Sequence, residues 1–158
     1  MKLDQMSVEA AKVWLEESMA GYARDMVDSL GLADAGALAR VAEQVAFILP
    51  DGVDTRGHSF CWLVDGERRI GGIWFGPDLS DETVLYLYDV VVDEGERGRG
   101  VGNAAVDEVV ATARQLGYAA VGLSVFDDNL AARRLYERKG FEVGSARAGQ
   151  TELRLHLG

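Results

Sequence analysis

The chain carries a single cysteine, Cys61. It can therefore form no internal disulfide and no cysteine-built zinc site, and a reducing cytoplasm is the expected setting. No stretch approaches the roughly 20 apolar residues that span a bilayer. The start, Met1-Lys2-Leu3-Asp4-Gln5-Met6, passes into a polar helical pattern without an apolar signal core. A protein neither exported nor embedded is expected, with no membrane partner. Positive charge is scarce as well: 16 Lys and Arg stand against 26 Asp and Glu, for a net charge of −10. Such a surface repels the phosphates of nucleic acids and anionic lipids, so nucleic acid is excluded as an expected partner, whereas cationic amines are drawn in. Two phosphate-binding motifs are also missing. A P-loop needs Gly-Lys-Ser or Gly-Lys-Thr, and a dinucleotide fingerprint needs glycine where Asn103 stands.

What is present describes one ordinary domain over residues 1–158. The chain is 48% hydrophobic and 27% charged, which suits a folded protein and not a disordered one. From Ser7, a candidate N-cap, to Leu30 the apolar positions Val8, Ala11, Leu15, Met19, Tyr22, Met26 and Leu30 recur every three or four residues, predicting a helix stopped near Gly31. A second helix is predicted from Asp34 to the break at Pro50-Asp51-Gly52. Ser59–Val64 and Ile70–Phe75 read as a hairpin turning at Asp65-Gly66, and Val84–Val92 as a strand covered on both faces. A helix from Val101 to Leu116, a strand over 119–126, a helix over 130–138 and two closing strands, 141–145 and 151–157, complete the order. It predicts an α/β domain of three layers, α/β/α, on one mixed central sheet of six or seven strands. Residues 1–57 form its helical part and residues 58–158 the sheet.

The most informative segment is Arg97-Gly98-Arg99-Gly100-Val101-Gly102-Asn103, between the buried strand and a helix start. Glycines let an anion approach the backbone, successive N–H groups can point outward, and the helix terminus adds partial positive charge. Arg97 and Arg99 add two full charges to an otherwise acidic chain. On its own the segment also fits a bare strand-to-helix turn.

Downstream lies Asn129-Leu130-Ala131-Ala132-Arg133-Arg134-Leu135-Tyr136-Glu137-Arg138-Lys139-Gly140-Phe141. Taken together, Arg97-x-x-Gly100-x-Gly102 and this second segment, with its Leu-Tyr and Gly-Phe pairs, resemble the GNAT superfamily of acetyl-CoA-dependent N-acetyltransferases. The resemblance covers about 60 residues of the C-terminal half. It implies a GNAT-like topology, acetyl-CoA as the acyl donor with no metal, and transfer to a primary amine by direct attack in a ternary complex. The N-terminal half would shape the acceptor side.

Residue by residue, the resemblance implies that the amides of Arg97, Gly98, Arg99, Gly100, Val101, Gly102 and Asn103 hold the CoA pyrophosphate. Val90 and Val92 would offer backbone groups to pantetheine, and both are also ordinary buried-strand residues. Asn129 would reach the pantetheine arm or a phosphate, or serve as the N-cap of the last helix. Arg133 or Arg134 would meet a CoA phosphate or lie on a solvated helix face. Tyr136 would protonate the departing thiolate, its alternative being a core anchor. Asp89, the one carboxylate within the long strand, is the candidate base if it faces the cleft and a structural acid if it faces a helix. Cys61, beside Trp62 with no adjacent histidine, reads as core, and His58 and His156 as structural. Trp14, Tyr22 and Trp74 are candidate pocket or packing aromatics. The acidic balance favours a small cationic acceptor. A homodimer is compatible with the resemblance. A non-catalytic acyl-CoA-binding or sensor domain, or a transferase for a longer acyl chain, would use the same loop.

Overall fold

The computed structural model describes residues 1–31, 33–147 and 149–158. The elements run β1 (Lys2–Gln5), α1 (Val8–Leu30), α2 (Asp34–Ile48), β2 (Ser59–Asp65), β3 (Arg68–Pro77), β4 (Val84–Val92), α3 (Val101–Leu116), β5 (Ala120–Phe126), α4 (Leu130–Arg138), β6 (Glu142–Arg147) and β7 (Gln150–His156). One seven-stranded sheet has the order β1-β2-β3-β4-β5-β7-β6. All neighbours are antiparallel except β4 and β5, which are parallel.

The sequence signals act as expected at most boundaries. Ser7 caps α1 by accepting from the Ala10 amide at 3.1 Å, and Gly31 ends it in the left-handed conformation. The exception is β1, a strand where the sequence pattern leads into a helix. Residues 2–5 instead pair with β2, in the register Leu3 to Leu63, and Leu3 packs against the core. Four residues with a single apolar side chain give no periodic signal, so β1 is recruited by the open edge of β2.

Two apolar layers sandwich the sheet. On one side Leu63, Ile73, Leu85, Leu87, Val121 and Leu123 meet Ala105, Val106 and Val109 of α3. On the other, Phe60 and Trp74 meet Trp14 and Leu15 of α1. Phe60, Trp74 and Tyr88 stack in sequence across three strands, with ring centroids 5.5 and 4.6 Å apart.

Two irregularities of β4 shape everything near the C-terminal ends of the central strands. First, Trp74 pairs with Asp89 but Phe75 with Leu87, leaving Tyr88 as an extra residue in β4. This β-bulge breaks the alternation: Leu87 lies under α3, whereas Tyr88 and Asp89 in succession both turn toward α1. Second, β4 and β5 pair only at Val84 with Ala120, Leu85 with Val121 and Tyr86 with Gly122. Beyond that rung β4 stays with β3 and β5 with β7, so the sheet opens between them.

Helix α1 is seated against the sheet at Gly72, where a β-carbon would overlap the Trp14 indole. Gly72→Ala is therefore expected to force the buried indole aside, destabilising the fold by roughly 1–3 kcal/mol. In urea the unfolding midpoint should fall with an unchanged slope; an unaltered midpoint would show that the indole does not depend on this glycine.

Candidate active site

The opening between β4 and β5 continues into a cavity of about 1520 Å³ bounded by α1, α2, the loop after β3, the ends of β4 and β5, and α4. Of the residues singled out in the sequence, Tyr22, Trp74, Asp89, Val90, Asn129 and Tyr136 line it. Trp14 does not; it is consumed in packing.

Asp89 reaches the cavity because of the bulge. Ser18 of α1 donates its hydroxyl to Asp89 Oδ2. Burial raises the Asp89 pKa above the ordinary carboxylate range, the Ser18 hydroxyl and the Val90 amide oppose that shift, and the nearby charge of Asp25 adds to it. Asp89 thus contacts a helix and borders the cavity at once.

Tyr136 enters from α4, its ring 5.7 Å from that of Phe141. Burial raises its pKa, so the phenol keeps its proton well above neutrality. Asn129 caps α4, its side-chain oxygen accepting from the Ala132 amide at 3.2 Å, and still borders the cavity. Arg133 is engaged by Glu137 at 3.1 Å, and Arg134 is exposed.

The glycine segment lies at the end of β4 and leads into α3. Gly98 and Gly100 have φ of 79° and 78°, a conformation that glycine adopts without penalty. Gly102 is different. It sits in the first turn of α3 without a positive φ, and a β-carbon there would meet no atom within 4 Å beyond its chain neighbours and the helix's own backbone. Neither backbone geometry nor packing requires it, although glycine in a helix costs about 0.5–1 kcal/mol relative to alanine. Beside it, Asn103 Oδ1 is buried with no hydrogen-bond partner. Arg97 donates from Nε to the Val92 carbonyl at 3.1 Å, which occupies that backbone acceptor, and Arg99 lies 3.5 Å from Glu96.

Ser18, Asp25 and Gln150 also line the cavity and carried no signal in the sequence. Tyr22 accepts from Gln150 at 2.8 Å, and Gln150 accepts from Ser124 at 2.9 Å, a polar bridge from α1 to β7 and β5. Ser18, Tyr22 and Asp25 form one stripe of α1 facing the cavity. Tyr22, a candidate pocket aromatic from the sequence, is the middle member of that stripe. His58 is half-buried and accepts from the Trp74 indole at 3.0 Å, and burial lowers its pKa, so it is a neutral structural group. His156 is exposed. Among the described residues no helix is long and apolar enough to cross a membrane, and no three His, Cys, Asp or Glu side chains are grouped to hold a metal ion.

The parallel strand pair thus opens beside a glycine-rich helix start, and the comparisons place the chain in an acyltransferase class. The model of the acetyltransferase (GNAT) family matches residues 32–141, and the chain belongs to that family. It is similar to YdgE, an uncharacterized N-acetyltransferase of Bacillus subtilis, at 25% identity over 92% of this chain and 94% of that one. The crystal structure of the putative acetyltransferase YycN from Bacillus subtilis superposes with a TM-score of 0.81 at 24% identity, covering 92% and 94%. The PaiA N-acetyltransferase of Thermoplasma acidophilum, solved in complex with coenzyme A, gives a TM-score of 0.72 at 13% identity, covering 98% of each chain. The three-layer fold read from the sequence is thus that of the family.

Cys61 is 8% exposed, and burial together with the charge of Asp4 pushes its thiol up to about 11. It lies in the core layer under α3, away from the cavity. Native protein at neutral pH should therefore leave a disulfide reagent such as Ellman's unreacted, whereas guanidinium-unfolded protein should release one equivalent of chromophore. Rapid labelling of the native protein would contradict this placement.

Proposed function

We propose that the protein transfers the acetyl group of acetyl-CoA to a primary amine by direct attack in a ternary complex, all within one domain spanning residues 1–158. The observation that carries this reading is Gly102: a helical glycine that nothing in the protein requires, beside a loop with two left-handed glycines and two arginines. Its missing side chain leaves room for an anion to approach the amides from Arg97 to Asn103, and the unpartnered Asn103 oxygen lies in the same turn. The residues present thus fit a CoA pyrophosphate. The Val90 backbone and Asn129 border the path toward the cavity, where the pantetheine arm would run; Val92 contributes by holding Arg97. The PaiA protein's complex with coenzyme A supports the same cofactor here.

When bound, acetyl-CoA supplies a thioester carbon open to attack. The protein's own groups handle protons. Asp89, with its raised pKa, is a stronger base than an ordinary carboxylate and takes a proton from the incoming ammonium, directly or through water. Tyr136, kept protonated by burial, gives its proton to the departing thiolate sulfur. Both groups line one cavity, so both protons are managed where the acceptor enters. The cavity takes a small amine, in line with the acidic net charge of −10.

Calorimetric titration should show saturable acetyl-CoA binding that is lost in Gly102→Leu while the fold survives, because a β-carbon at this position meets no neighbouring side chain. A Gly102→Leu variant that binds normally would remove the phosphate loop from the mechanism. With a panel of primary amines, release of CoA thiol should fall by roughly 10²–10⁴ in kcat for Tyr136→Phe at unchanged acetyl-CoA affinity. Binding without turnover on any amine would instead indicate an acyl-CoA-binding domain.

A further inference from the structure

Ser18 lies in the middle of α1, where a serine hydroxyl ordinarily faces water or bonds back to the carbonyl one turn earlier. It does neither. The residue is 7% exposed, and its hydroxyl leaves the helix to donate to Asp89, 71 positions away on β4. A buried hydroxyl is costly unless it is bonded, and a buried carboxylate more so, so each group satisfies the other. The contact needs the bulge at Tyr88, because regular alternation would have turned Asp89 toward α3.

The surroundings of Asp89 make this bond consequential. On α1 it is faced by Tyr22 and Asp25; on β4 its neighbours are Tyr86 and Tyr88, and on β3 the uncharged Trp74 stands opposite. Asp89 forms no ion pair among the described residues. The Ser18 hydroxyl is thus its side-chain hydrogen-bond donor, and Oδ2 is the oxygen it occupies.

Building on the proposed role of Asp89 as base, we infer that Ser18 is the positioning residue of the reaction, fixing the Asp89 carboxylate through Oδ2 so that Oδ1 is left to take the acceptor's proton. The Ser18 hydroxyl is committed to Asp89 Oδ2. It acts by setting the orientation of the base and by stabilising its charged form, so its removal changes the pH range of activity as well as the rate.

The test uses the full chain with Ser18→Ala, Ser18→Cys, Ser18→Thr and Asp89→Asn. Two readouts are taken: the pH profile of kcat/KM from CoA thiol release, using the primary amine most active in a panel, and the titration of the aspartate carboxyls by carbon NMR. A hydrogen bond to a charged group lost from Asp89 should move both its carboxyl titration and the acid limb of the profile to higher pH by about one unit in Ser18→Ala. The kcat should fall with the KM for acetyl-CoA unchanged, and Ser18→Thr, which keeps the hydroxyl, should restore the native limb. Ser18→Cys, nearly isosteric with a weak donor, gives the same shift if the alanine variant folds poorly. Unmoved titration and acid limb in Ser18→Ala and Ser18→Cys, with activity abolished in Asp89→Asn, would overturn the role of Ser18 and leave Asp89 standing. Full activity in Asp89→Asn would remove the base itself, and the inference with it.

Discussion

The separation of β4 from β5 after the Tyr86–Gly122 rung is the constraint on which the rest of the structure depends. Parallel strands are normally buried and fully paired. Parting them leaves backbone N–H and C=O groups that the fold must satisfy by other means or hold ready for a ligand. The first solution is visible at Val92. The Val92 carbonyl receives Arg97, while the stretch before it borders a cavity that is wide enough for a substrate and walled by both helical layers. Each half of the sheet remains anchored, β4 to β3 and β5 to β7, so the opening does not unravel the core.

The bulge at Tyr88 depends on the same separation. A strand bound on both sides has little freedom to accommodate an extra residue, whereas β4 beyond Tyr86 is paired on one side. The extra residue sends Tyr88 into the stack with Trp74 and delivers Asp89 to α1. Charge is arranged in the same economical manner. The chain is acidic overall, yet its glycine loop carries two arginines, and the cavity holds a carboxylate whose proton affinity is raised by burial and by Asp25. The arginine-bearing glycine loop and the buried carboxylate therefore both lie toward the C-terminal end of β4.

Legibility in the sequence followed how local each signal is. The two long helices, the hairpin and the strand-loop-helix unit were readable because capping residues, Gly breaks and apolar period act over a few positions. The glycine segment was readable as a strand-to-helix turn for the same reason, and its pairing with the Asn129–Phe141 segment pointed to the family that the comparisons confirm. β1 was not readable, since Lys2–Gln5 carries almost no apolar pattern and forms only because β2 offers an edge. Trp14 and Tyr22 looked alike as helix aromatics, but one is pressed against Gly72 and the other bridges to Gln150.

By itself, then, the sequence determined the order of elements, the layer architecture and the loop in which glycines and arginines coincide, because these arise from contacts between near neighbours along the chain. Only the tertiary structure decided which way Asp89 points, that Ser18 is its partner, and that Asn129, Tyr136 and the stripe on α1 share a cavity. Those relations join residues distant in the chain, Ser18 and Asp89 being 71 positions apart. They turn on a one-residue bulge and on the place where two strands stop pairing, and neither leaves a periodic trace in the order of the amino acids.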